Sequence, residues 1–352
     1  MRKLRLKPVY WSIIFFVFAQ CVMFAITPRI EPFLNDNDIY VPPQPPSDQI
    51  IFIPSPPTTS PGGDYIPEVP APSSLLPIIL YFAGLIIVIS LILFFIPLSA
   101  LKFVFRSIFA LLFAWGIFIL CVFYLPNLFV HILGDGEAIL NIFGRSYVLG
   151  PRYIPNVIGI VLSAIIGLTV GINWLFKPRM WLHNLALLIA VASMASIFGR
   201  FLSPWTAMIL LGALAIYDIL AVRFGFMMWM ANKMSQGSAL PAFVLPTQIS
   251  DLNTKIQHVE LSEVAETKTD ERDFSLLGGG DIAFPLLLTA SVFLARGLRS
   301  ALLVALLCLS GVGLAYLIQS KVLKGKPMPA IPPIAFMGLI SMLMVFVLFK
   351  SL

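Results

Sequence analysis

Charge is what this sequence has least of. Only 11% of its 352 residues are charged and 59% are hydrophobic, against about 25% charged in an ordinary soluble domain. That imbalance excludes a soluble globular protein and places the chain in lipid. Cysteine is almost as scarce. Cys21, Cys121 and Cys308 lie in separate apolar runs without a CxxC pair, which leaves neither a disulfide framework nor a zinc site. The three histidines, His131, His183 and His258, stand far apart, with no second ligand at helical spacing, so no metal is expected, and no motif asks for a cofactor. The net charge of +6 would suit nucleic acid in a soluble protein; in a membrane chain its distribution matters more, and no nucleic-acid partner is implied. No repeat of about 20–50 residues marks a solenoid.

What the sequence has in plenty is apolar runs long enough to cross a bilayer, which takes roughly 17–25 residues each. Nine are read, at 10–27, 75–96, 107–126, 154–176, 181–199, 204–226, 276–295, 300–319 and 329–349. The fold class is therefore an all-α membrane protein, a nine-helix transmembrane bundle. It divides into a tail with the first helix (1–27), a Pro-rich loop (28–74), helices two to six (75–226), a polar loop (227–275) and helices seven to nine (276–352). The Pro-rich loop holds thirteen of the 28 prolines and reads as an extended spacer. If the basic tail "MRKLRLK" faces the cytoplasm, alternation puts seven of the 23 basic residues outside (Arg29, Arg145, Arg152, Arg200, Arg296, Arg299 and Lys350) and leaves sixteen inside. This positive-inside bias predicts a cytoplasmic N-terminus, an extracytoplasmic C-terminus and a place in the plasma membrane. The first span reads as an uncleaved anchor, since no A-x-A-like cleavage site follows it.

Carboxylates are scarcer still where they matter. Of seventeen Asp and Glu, eight fall in exterior loops and seven in the 227–275 loop; the remaining two, Asp218 and Asp281, lie inside the sixth and seventh spans. At about 1.5 Å rise per residue, both sit on the order of 10 Å below the same face, and antiparallel neighbours would bring them together. Each costs about 2.5–3.5 kcal/mol to insert, so a pair at matched depth calls for one explanation. Aspartic proteolysis supplies it. Two adjacent carboxyls share a proton; the anionic one takes a proton from water while the protonated one hydrogen-bonds the scissile carbonyl. The stretch "LLGGGDIAFP" fits this chemistry. Gly278, Gly279 and Gly280 let a backbone approach the aspartate closely. Pro285 leaves the Asp281 carbonyl without its helical N–H, which predicts a kink and a polar spot there.

At these residues the sequence resembles the GxGD intramembrane aspartyl proteases of the presenilin and signal peptide peptidase family. "YD" is Tyr217-Asp218, "GxGD" is Gly278-Gly279-Gly280-Asp281, and the Pro-Ala-Leu motif is matched by Pro329-Ala330-Ile331 at the head of the ninth span. The three fall in the family's order on the expected spans, and the nine-span plan extends the likeness over nearly the whole chain. The resemblance implies a presenilin-type bundle, with Asp218 and Asp281 as the catalytic pair. It further implies that Tyr217, the three glycines and Pro329, Ala330 and Ile331 line the substrate site. The inferred orientation is that of presenilins, while "GGGDIAFP" and "SALPAFVLP" look closer to the peptidase branch; a compact, prokaryotic or archaeal-type homologue fits both. Ile331 replaces the usual leucine, and Gly279 takes the variable position. Implied substrates are single-span membrane proteins or signal peptides in the lipid bilayer. Accessory subunits are not required by the sequence, and a homo-oligomer is open. Because a helical peptide bond is shielded, the substrate must unwind, and "AFVLP" at 242–246 with the residues before Gly278 is placed to pair with it. The alternative is an ion- or proton-coupled transporter or channel using the same two carboxylates.

Overall fold

The computed structural model describes residues 8–36, 84, 88, 98–133, 138–142, 145–149, 153–225, 242–247, 249–254, 274–322 and 329–348. Apart from residues 84 and 88, the span expected at 75–96 lies outside them, as do most of the two loops expected at 28–74 and 227–275.

Helices dominate the described residues. They are α1 (Pro8–Asp36), α2 (Leu98–Val122), α3 (Leu125–Leu133), α4 (Tyr153–Phe176), α5 (Met180–Phe201), α6 (Pro204–Arg223), α7 (Gly279–Leu317) and α8 (Ile331–Leu348). Two small antiparallel sheets accompany them: β1 (Ala138–Ile142) with β2 (Arg145–Leu149), and β3 (Ala242–Pro246) with β4 (Phe274–Gly278). Among the described residues, seven helical segments are long and apolar enough to cross a membrane. One of these, Gly279–Lys321, spans 43 residues. At about 1.5 Å per residue it is twice as long as a bilayer core of about 30 Å, so it crosses twice.

The turn between those two crossings is at Gly297, whose φ of 76° and ψ of −178° interrupt α7. This conformation is essentially confined to glycine. The expected break near Pro285 is not seen in the backbone angles. Residue 285 keeps helical dihedrals, and the carbonyl of Pro285 accepts from the Thr289 hydroxyl at 2.9 Å. Gly297→Val is expected to destabilise the fold by about 1–3 kcal/mol, read as a lowered melting temperature in detergent; an unchanged melting temperature would contradict the assignment.

The core centres on α5. Its inward residues, from Met180 to Gly199, are buried on almost every side, because α1, α2 and α7 all pack against it. Small residues permit this closeness. A Cβ on Gly116 would stand 2.4 Å from Ala190 Cα, and one on Gly199 would stand 2.7 Å from Ala290 Cβ. Tight backbone approach is the usual means of helix association in lipid, where no hydrophobic drive remains. Side-chain hydrogen bonds reinforce it: Thr27 to the Ser196 hydroxyl (3.1 Å), Ser193 to the Gly116 carbonyl (3.0 Å) and Gln20 to Thr289 (3.4 Å). On the other side α6, α7 and α8 form a second group. Gly338 of α8 faces Leu288, Leu211 and Met208 there, and Gly311 of α7 sits against the Ile334 backbone. These contacts fix the head of α8 relative to α6.

Candidate active site

Asp218 lies on the inward stripe of α6. Leu211, Ala215 and Asp218 are buried at spacings of four and three, while Ile216, Ile219 and Leu220 face outward. Asp218 is only 6% exposed, so its carboxylate needs partners from the protein. They come from the head of α8. Its Oδ2 accepts from the Ile331 N–H at 3.2 Å, and the Ala330 N–H donates to the same carboxylate. A helix leaves its first N–H groups without intrahelical partners, and an anion is favoured at that positive end. In α8 the two positions after Ile331 are Pro332 and Pro333, which have no N–H. The Pro-Ala-Ile stretch therefore offers donors only at Ala330 and Ile331 near its start, and Asp218 takes both. Ile331→Pro deletes one of them while suiting the first helical position. It is expected to lower stability by about 1.5–3 kcal/mol, the range for a hydrogen bond to a charged group, measured by thermal denaturation. An unchanged transition would show that the bond is not formed.

Asp281 is the third residue of α7 and is partly buried. Its carboxyl folds back over the preceding turn. The Gly278 N–H donates to it, and a Cβ on Gly278 would stand 3.0 Å from its Oδ2. A Cβ on Gly280 would meet the Phe284 ring at 3.3 Å. The expected helical run from 276 begins instead at Gly279. Residues 274–278 pair with β3, so Gly278 ends a strand and caps a helix at once. The charge of Asp218 bears on the Asp281 carboxyl, although 63 residues separate them in sequence. Tyr217 is adjacent to Asp218 and partly buried, as are Pro329 and Ala330, and Ile331 is buried. The residues expected from the sequence lie in the C-terminal part of α6, at the β4–α7 junction and at the head of α8. Among the described residues, no cluster of three His, Cys, Asp or Glu could hold a metal.

The sheet that ends at Gly278 rests on two residues for which the sequence suggested no role at this site. Val244 donates its N–H to the Asn184 side-chain oxygen at 2.9 Å, and Asn184 Nδ2 donates to the Val244 carbonyl at 2.7 Å. The Ala242 carbonyl accepts from His183 Nε2 at 3.1 Å. Polar neighbours His183 and Asn184 inside an otherwise apolar span were the available signal. A buried amide in lipid needs a partner, and here the partner is a strand.

The family described as signal-peptide peptidase, presenilin aspartyl protease matches residues 96–351. Two solved structures of a presenilin family intramembrane aspartate protease, in C222 and P2 space groups, share this fold. The first is 17% identical with a TM-score of 0.51, over 97% of this chain and 99% of that one. The second is 16% identical with a TM-score of 0.51, over 97% and 98%. No curated protein matches the sequence significantly.

Proposed function

Since the chain belongs to the signal-peptide peptidase and presenilin aspartyl protease family, and is therefore an aspartic-type intramembrane peptidase in an integral multi-pass membrane protein, we propose that Asp218 and Asp281 are its catalytic pair and that they hydrolyse peptide bonds within transmembrane segments of membrane proteins. What supports this is that the Asp281 carboxyl feels the charge of Asp218, with Asp218 held by the head of α8 and Asp281 by the Gly278 N–H. In this reading Asp281 and Asp218 hold one proton between them. The anionic carboxyl takes a proton from water, the water oxygen attacks the scissile carbonyl, and the protonated carboxyl hydrogen-bonds the developing oxyanion. Collapse then breaks the C–N bond, with a proton passing to the leaving amine. The reaction needs no cofactor, metal or covalent intermediate.

The substrates in this proposal are single-span membrane proteins or signal peptides, met in the lipid bilayer, and no accessory subunit or nucleic acid is needed. The substrate strand adds to β4. Backbone groups of alternate residues in an antiparallel pair point to opposite edges. Val244 turns its pair toward Asn184, so its partner Leu276 turns its N–H and C=O to the far edge of β4, beside Gly278 and Asp281. A peptide pairing with Leu276 would extend past the dyad. Pro329, Ala330, Ile331 and Tyr217 flank it. The positive-inside count supports a plasma-membrane protein with a cytoplasmic N-terminus, so that the dyad sits near the cytoplasmic face.

The test uses purified protein in lipid vesicles with a single-span peptide, its products read by mass spectrometry. Cleavage inside the apolar segment, blocked by a hydroxyl-bearing transition-state mimic, is expected. Ion flux through the vesicles that persists with the mimic, and no cleavage, would favour the transporter reading instead.

A further inference from the structure

The β3–β4 sheet has two edges, and in principle a substrate strand could join either. We infer that Asn184 and His183, at the start of α5, are positioning residues of the proteolytic site: they occupy the outer edge of β3 in place of a third strand, confining an incoming peptide to β4 and setting its register against Asp281. The inference rests on the reading of Asp218 and Asp281 as a protease dyad.

The geometry is that of strand mimicry. A neighbouring strand would take both the N–H and the C=O of Val244, and the Asn184 amide takes both, at 2.9 and 2.7 Å. Two residues back, the next outward carbonyl, that of Ala242, accepts from His183. The following outward residue is Pro246, which has no N–H to offer. Two adjacent helix residues thus fill three hydrogen-bonding positions of this edge, and a proline withholds a fourth.

The clamp is rigid and dry. Asn184 is 2% exposed, and His183, Phe243 and Val244 are 0% exposed. The His183 ring is wedged against Phe113 (5.5 Å) and Trp174 (5.8 Å), and Phe243 stacks on Phe15 of α1 (5.3 Å). A second tie holds the far end of the segment: the Met180 N–H donates to the Thr254 carbonyl at 3.0 Å. Because β3 is fixed to α5, β4 is fixed by its register to β3, with Ala242 opposite Gly278. The position of Gly278, and so of the carboxyl resting on it, is set from α5 through β3. Sliding β3 by one residue would turn every side chain of the strand to the other face, and Asn184 opposes such a slide.

Two measurements test this. The first compares wild type with Asn184→Leu, which keeps the volume and removes both hydrogen bonds. Each buried group left unpaired weakens the clamp, so KM for a single-span peptide is expected to rise about tenfold or more, and the cuts to spread to neighbouring bonds. The amount of a short dyad-directed hydroxyl mimic bound at saturation stays near that of wild type. A purely structural role gives the opposite pattern: bound mimic and kcat fall together, while KM and cut positions stay fixed. That pattern, or behaviour identical to wild type, overturns the inference. The second measurement is independent of whether the variant folds. In wild-type protein, hydrogen exchange at single-residue resolution should find the Val244 amide protected before any peptide is added. The Leu276 amide should become protected only when a peptide mimic binds. A Val244 amide that gains protection on binding, with Leu276 unchanged, places the peptide on β3 and refutes the proposal. If the wild-type protein cleaves no peptide at all, the protease reading falls first; if it cleaves normally and these two results fail, only the clamp falls.

Discussion

Asp218→Ala and Asp281→Ala are each expected to lower peptide cleavage by at least about 10²–10⁴-fold, the contribution of a placed general acid or base. Neither aspartate can replace the other, because one must take a proton from water while the other donates to the carbonyl oxygen. They are the only acids in α6 and α7. The two variants should differ in stability, which guards against a trivial explanation. Asp218 caps α8 through Ile331 and Ala330, so its loss should destabilise by about 0.5–2 kcal/mol, as removal of a helix cap does. Asp281 spans no such gap. It leans on its own preceding turn, and its removal takes a costly polar group out of a mostly apolar setting; the melting temperature should hold or rise. Cleavage rates and thermal denaturation on both variants check the pair of expectations together. Substantial activity in either variant would remove that aspartate from the mechanism.

The second large effect is expected at Gly278. Its φ of −57° and ψ of 135° are open to any residue, so valine there should not strain the backbone. The obstacle is the carboxyl of Asp281, whose Oδ2 lies 3.0 Å from the place of a Cβ. Valine also adds two methyl groups at that point, and the carboxyl must move. A displacement of about 1 Å in a reacting group costs on the order of 10²-fold in rate. Gly278→Val is therefore expected to lose about 10²-fold in kcat while the protein still folds and its substrate affinity changes less. Circular dichroism and steady-state kinetics read the two halves. Full activity would mean that the space above residue 278 is not needed by the dyad.

Both effects bear on carboxyls that stand out in the sequence for one reason: lipid tolerates few carboxylates. Asp218 and Asp281 are conspicuous because no other acid falls inside one of the apolar runs, and that sparseness is what suggests pairing them before any coordinates. The described spans were legible too, since length and hydropathy alone mark a span. What the sequence concealed lies in backbone detail. The boundary at residue 276 shifted to 279 because β4 competes for those residues, and strand pairing depends on a partner more than 30 residues away. Pro285 keeps helical angles where a kink was expected, while the reversal at Gly297 falls in the gap between the spans read at 276–295 and 300–319. Asn184 and His183 went unassigned at this site since nothing local shows what a buried amide will meet. The pairing of Asp218 with the N–H groups of Ala330 and Ile331 was hidden for the same reason, although the prolines that isolate those donors were in view.

The claim on which the account depends is that Asp218 and Asp281 work on one bond. The most direct measurement is a structure of the protein bound to a peptide mimic carrying a hydroxyl in place of the scissile carbonyl. The account predicts that hydroxyl within hydrogen-bond distance, about 2.5–3.0 Å, of a carboxyl oxygen from each aspartate, with the mimic's backbone paired to β4. A mimic that inhibits cleavage while touching only one of the two, or neither, would contradict it.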